Sequence, residues 1–209
     1  MLIRMWSSNE YIKKIKGGFY MVKVEKTPIP GLFVVDLYSF EDHRGSFMEK
    51  FSQKDLISEI KHVFGEDSDE YKAVKDFNVV QNNVSKNNKG VIRGLHAEPW
   101  NKYIYIVSGA AYGAWVDLRS GNSRVVYFHD LTEGNAVFVP EGVANGFQSL
   151  EEDTQYSYLV DGVWSDSDRN KYSYVNLKDL QLGIRWPLGI DDGLISEADK
   201  KHPFLGQNN

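Results

Sequence analysis

Cysteine is absent from the 209 residues, which removes disulfides, thiol nucleophiles and thiolate metal sites together. No apolar run approaches the roughly 18 residues of a membrane span. Residues 1–20 carry basic side chains but no continuous apolar stretch, so they do not read as a signal peptide. Positive charge is not in excess either. Lys and Arg number 24 against 29 Asp and Glu, a net charge of −5; this argues against nucleic-acid binding and leaves room only for a local basic pocket holding a small anion. Histidine is scarce, five in all, and no His-x-His occurs. A mononuclear metal site in a β-barrel wants two or three imidazoles plus a carboxylate, so metal catalysis is not expected. The expectation is a soluble cytosolic chain with one domain, residues 21–209, behind an extension of residues 1–20 whose role the sequence does not give.

With 42 % hydrophobic and 25 % charged residues, the chain can bury a core. The prevailing pattern is a short β-type run bounded by turn residues. Leu32 to Tyr38 follows Pro30-Gly31, and Val125 to Phe128, Ala136 to Val139 and Gln155 to Val160 continue the series. Tyr103 to Val107 and Tyr112 to Leu118, separated by Ser108-Gly109-Ala110-Ala111, read as two paired strands. One helix is convincing: Leu56, Ile57, Ile60, Val63 and Phe64 fall on one face of residues 55–64, after a Ser52–Asp55 cap. A shorter helix starts near Ser196, with Asp199 three residues on and Pro203 beyond its end. Strands at close spacing with few helices predict a mainly β antiparallel sandwich or barrel.

His62 belongs to the helix end, His129 to a strand and His202 to an exposed stretch near the end of the chain. His43 and His96 lie among polar, turn-forming residues. On the residues alone, a solitary histidine such as His96 in Gly90-Val91-Ile92-Arg93-Gly94-Leu95-His96 is more often structural than catalytic.

Six ordered motifs change that balance. Asp42-His43-Arg44-Gly45-Ser46-Phe47-Met48-Glu49-Lys50-Phe51, Gln81-Asn82-Asn83-Val84-Ser85, Val91 to His96, Val116-Asp117-Leu118-Arg119, Val139 to Phe147 and Asp179 to Pro187 are collinear with those of the dTDP-4-dehydrorhamnose 3,5-epimerase family, which the chain resembles from about Pro30 to Pro187. The resemblance implies a cupin-type β-sandwich or jelly roll with a few short peripheral helices. It also implies a homodimer that inverts carbons 3 and 5 of a dTDP-linked 4-keto-6-deoxyhexose without metal or nucleotide cofactor. Such chemistry removes a proton beside a carbonyl, holds the enolate and returns a proton to the other face.

Residue by residue, the resemblance assigns His96 as base, Asp179 as the carboxylate that orients it, Tyr158 as proton donor and Lys102 as the charge that stabilises the enolate. Arg44, Glu49, Gln81, Asn82, Asn83, Arg93 and Asn145 match the substrate-binding set. Taken without the resemblance, Asp179 is a turn or cap residue ahead of Leu182–Trp186. By alternation Tyr156 shares a sheet face with Tyr158, so it serves as the control for it.

The chain departs from the family's pattern in three places. Asn145 stands where the family has a second active-site histidine, and Asn cannot transfer a proton. Trp164 stands where the family stacks a tyrosine on the base, a tolerable exchange. The segment from His96 to Lys102 is shorter than the usual loop. Besides 3,5-epimerisation, a mono-epimerase acting at carbon 3 or 5 and a non-catalytic sugar-nucleotide-binding cupin remain open.

Overall fold

A computed structural model describes residues 22–119, 124–163, 165, 171–191 and 194–206. Among these, the chain runs through β1 (Val22–Lys26), β2 (Phe33–Leu37), β3 (Ser39–Asp42), β4 (Gly45–Met48), α1 (Gln53–Phe64), α2 (Asp69–Asp76), β5 (Gln81–Asn87), β6 (Ile92–Ala97) and β7 (Lys102–Ser108). It continues with β8 (Ala111–Asp117), β9 (Val126–Leu131), β10 (Asn135–Val139), β11 (Val143–Ser149), β12 (Thr154–Val160) and β13 (Ser173–Tyr174). The expected extension, residues 1–20, lies outside the described residues.

Two antiparallel sheets form the body, one ordered β1-β2-β10-β7-β12-β5 and the other β13-β6-β11-β8-β9. Period-two alternation decides what each strand gives to each layer. In β2, Phe33 and Val35 turn outward to the helices, while Val34 turns into the space between the sheets. That space is filled by Ile104, Ile106, Trp115, Val137, Phe147 and Tyr156. The outer face of the six-stranded sheet is covered by Leu56, Ile60 and Val74 of the two helices. Leu177, Leu182 and Trp186 of the C-terminal segment cover Ile92, Leu95 and Val116 on the other sheet. Each such apolar side chain, fully buried, contributes about 1.5–3 kcal/mol.

Helix α1 begins two residues before the expected start. Its N-cap is Ser52, whose side chain accepts from the Asp55 N–H, and it ends at Gly65. Helix α2 was not expected, because its eight residues bury only Val74 and so carry no apolar stripe; its readable mark is Ser68, which caps the Tyr71 N–H. The pairing of residues 103–107 with 112–118 is corrected: β7 lies between β10 and β12, and β8 lies in the other sheet between β11 and β9. Alternation shows that both segments are strands, but a short connection can change sheets as readily as it closes a hairpin.

One irregularity positions the site. Asn145 pairs with His96, yet Phe147 pairs with Arg93, so two steps on β11 oppose three on β6. The extra residue turns Arg93 and His96, an odd number apart, toward the same face. The close approach needs glycine: Gly94 has φ +128°, and a Cβ there would lie 2.6 Å from the Gly146 Cα.

Candidate active site

The imidazole of His96 is one-third exposed, and its Nε2 lies 2.8 Å from Oδ1 of the buried Asp199. In the neutral ring Nε2–H donates to this carboxylate, which leaves the Nδ1 lone pair as the basic position. Asp199 opens a short 3-10 turn, Asp199–Lys201, and its backbone N–H donates to Ser196 Oγ at 3.0 Å. Burial pushes the Asp199 carboxyl upward, but the hydrogen bond from His96 and the charges of His96 and His202 outweigh it and hold the group below its ordinary value.

Two corrections follow. The carboxylate on His96 is Asp199, not Asp179. Asp179 is buried as a cap, accepting from the Gln181 N–H at 2.9 Å and the Leu205 N–H at 2.6 Å, as its local sequence alone implies. His202 is not exposed: its side chain retains 11 % of its accessible surface. It stacks on Tyr174 at 4.6 Å and lies 5.2 Å from the His96 ring. Burial and the neighbouring His96 hold His202 below the usual histidine value, while the Asp199 charge opposes the shift.

This brings a second imidazole to His96 that no spacing in the sequence announced. His96, Asp199 and His202 offer ligand atoms within 4.8 Å of one another. They are the described residues that could hold a divalent cation, which would have to displace the 2.8 Å bond between the first two.

From the opposing sheet, β7 presents Lys102. Its ammonium is buried, donates to Asn145 Oδ1 at 2.7 Å, lies 2.5 Å from Glu98 Oε2 and sits 5.6 Å from the centre of the Tyr158 ring. Burial lowers the Lys102 pKa, and the Glu98 charge opposes the shift.

Tyr156 and Tyr158 do share a face, but their surroundings differ. Tyr156 is fully buried and stacks on Phe147 at 3.9 Å. Its phenol is pushed well above its ordinary value by burial, and Asn145 hydrogen-bonds it. Tyr158 is partly exposed; burial and then the Glu98 charge raise it, while Arg93 lowers it.

Of the other expected residues, Arg93 donates to Asn87 Oδ1 at 2.8 Å, and Gln81 donates to Asn83 Oδ1 at 2.6 Å. Asn83 is opposite Tyr158 in register and shares its face. Asn82 is corrected: alternation points it to the opposite face of β5, where it donates to the Tyr105 hydroxyl and accepts from Ser157 Oγ. Arg44, on the exposed β3–β4 hairpin, forks onto its own neighbour Asp42. Neither it nor Glu49, just beyond the hairpin, hydrogen-bonds the His96 or Lys102 groups. Trp164 lies outside the described residues.

The arrangement sets a carboxylate-held imidazole on one sheet, and a phenol with a buried ammonium beside it on the other. They are carried on a cupin-type sandwich, and these are groups able to exchange protons. The chain belongs to the dTDP-4-dehydrorhamnose 3,5-epimerase family, whose model matches residues 26–207. A Streptococcus pyogenes protein named "Protein RmlC homolog" is 42 % identical over 181 residues, 85 % of this chain and 86 % of that one. A Streptomyces protein named dTDP-4-dehydro-6-deoxyglucose 3-epimerase is 31 % identical over 172 residues, 78 % of this chain and 79 % of that one. The solved structure of RmlC from Streptococcus suis, in complex with dTDP-D-xylose, is 38 % identical with a TM-score of 0.75, covering 88 % of this chain and 91 % of that one.

Proposed function

We propose that the protein epimerises carbons 3 and 5 of dTDP-4-dehydro-6-deoxy-D-glucose to give dTDP-4-dehydro-L-rhamnose. The observation that supports this most directly is the placement of base and acid on opposite sheets, with His96 on β6 and Tyr158 on β12. Inversion needs a proton removed from one face of a carbon and returned to the other. His96 Nδ1 takes the proton beside the ketone, and Asp199 stabilises the imidazolium that forms. The negative charge moves to the ketone oxygen, where the Lys102 ammonium offsets it. Tyr158 then protonates the opposite face, and Arg93 beside it favours the phenolate left behind. No metal or nucleotide cofactor enters this reading.

Gln81, Asn83 and Arg93 line the substrate side, Arg44 and Glu49 belong to its outer binding set, and Trp164 stacks on the thymine. A homodimer in the cytoplasm completes the proposal; the exposed Phe40 and Phe47 of the β3–β4 hairpin are apolar surface that a second copy would cover. No helix among the described residues is long and apolar enough to cross a membrane.

The test is stereochemical: the product is trapped by hydride reduction and its sugar identified. Inversion at both carbons supports the reading. Inversion at carbon 3 alone would move the protein to the second reading, a mono-epimerase, which the Streptomyces 3-epimerase relative favours.

A further inference from the structure

We propose that Glu98 is a positioning residue of this site, its carboxylate keeping the Lys102 ammonium charged and fixed beside Tyr158. What Lys102 does rests on the epimerase reading; how it is held does not.

The turn between β6 and β7 is built to deliver this carboxylate. Its path is pinned on both sides: the Glu98 carbonyl accepts from the Gly142 N–H at 3.0 Å, and Asn101 donates its backbone and amide N–H to Asp161 at 2.8 and 2.7 Å. Four positions separate Glu98 from Lys102 across the bend, and the two side chains are 13 % and 7 % exposed. Oε2 lies 2.5 Å from the ammonium, which donates to it, and no other described group hydrogen-bonds this buried oxygen. The pair is held by charge and by this hydrogen bond together, and the oxygen's burial is compensated by Lys102.

The remaining groups around Lys102 cannot replace it. From β11 comes Asn145, a neutral acceptor. From β12 come the Tyr158 ring and Tyr156, which reaches Asn145. From β6 come His96, opposite Asn145 in register, and Arg93, a cation whose charge reaches Tyr158. Glu98 is the anion that acts on Lys102 among the described residues. A buried amine with only an amide and a phenol beside it sheds its proton readily, and a neutral amine cannot offset an enolate oxygen as a cation does.

The experiment is a pH titration of Lys102 in the ligand-free protein by NMR of labelled lysine side chains, with the resonance assigned by its loss in Lys102→Met. In Glu98→Gln the Lys102 midpoint is expected to fall by about one pH unit or more. The alkaline limb of the exchange rate should fall with it. Glu98→Asp, which keeps the charge one methylene further back, should fall by less, and it carries the test if the first variant does not fold. An unchanged midpoint in whichever variant folds overturns the proposal, even if turnover is lost. The titration uses no substrate, so a wild-type protein that turns nothing over would defeat the epimerase reading and leave this result standing.

Discussion

His96 and Asp199, 103 residues apart in the chain, meet at 2.8 Å between Nε2 and Oδ1. Asp199→Asn should leave the fold intact and lower substrate proton exchange by about 10²–10⁴, because the amide neither fixes the ring tautomer nor stabilises its charged form. Asp179→Asn should keep most of the exchange and instead lose about 1 kcal/mol of stability in urea, from weakened bonds to the Gln181 and Leu205 N–H groups. Equal exchange rates in the two variants would contradict the assignment.

The two tyrosines separate in the same way. Tyr158→Phe should suppress formation of epimerised product while deuterium still enters at the base, because proton abstraction precedes donation. Tyr156→Phe removes a buried hydroxyl bonded to Asn145 and should cost about 1 kcal/mol of stability with a few-fold loss of rate. Product ratios by NMR and urea midpoints measure both; a reversal of the two phenotypes would unseat Tyr158.

Buried charge carries a stability cost that is itself measurable. Lys102 has its folded pKa below its unfolded one, so between the two values the unfolded chain binds the extra proton and stability rises with pH across that window. Lys102→Met should abolish this rise. At pH 7 it should also lower stability by about 3 kcal/mol, since it strands Glu98 in the interior, and Lys102→Met/Glu98→Gln should recover most of that loss. Unfolding in urea at pH 7 and near pH 10 reports both; a double variant no more stable than the single one would count against the buried pair.

The hairpin gives a test of assembly. Phe47 keeps 67 % of its accessible surface and Phe40 45 %. Phe47→Asp should shift sedimentation from dimer to monomer while the circular dichroism of the sandwich is unchanged. A wild-type protein that sediments as a monomer would contradict the homodimer.

The strands were legible because alternation and turn residues are local properties, and helix α1 because its apolar stripe is continuous. Partner choice was not: nothing within residues 102–118 says that β7 and β8 enter different sheets. The site divides along the same line. Arg93 and His96 sit in one motif whose residues are neighbours in sequence, while Tyr158 and Lys102 rest on the resemblance alone. The structure links them through Asn145, which pairs with His96 and accepts from Lys102, and through the Lys102–Tyr158 contact. Asp199 was visible only as the residue three after Ser196 in an expected short helix. The structure has instead a 3-10 turn at Asp199–Lys201, with Ser196 Oγ accepting from the Asp199 N–H, and the contact with His96 depends on how the C-terminal segment crosses β6. Asp179 shows the converse. Its local reading as a cap agrees with its bonds to the Gln181 and Leu205 N–H groups, and the motif match drew it toward a contact with His96 that Asp199 makes instead.

The most direct measurement is proton NMR of dTDP-4-keto-6-deoxyglucose incubated in deuterated buffer, without added metal, with the wild-type protein and with His96→Ala. The account predicts deuterium at both carbons flanking the ketone in the wild type and none above background in the variant. Exchange at wild-type rate in His96→Ala, or no exchange in the wild type, would contradict it.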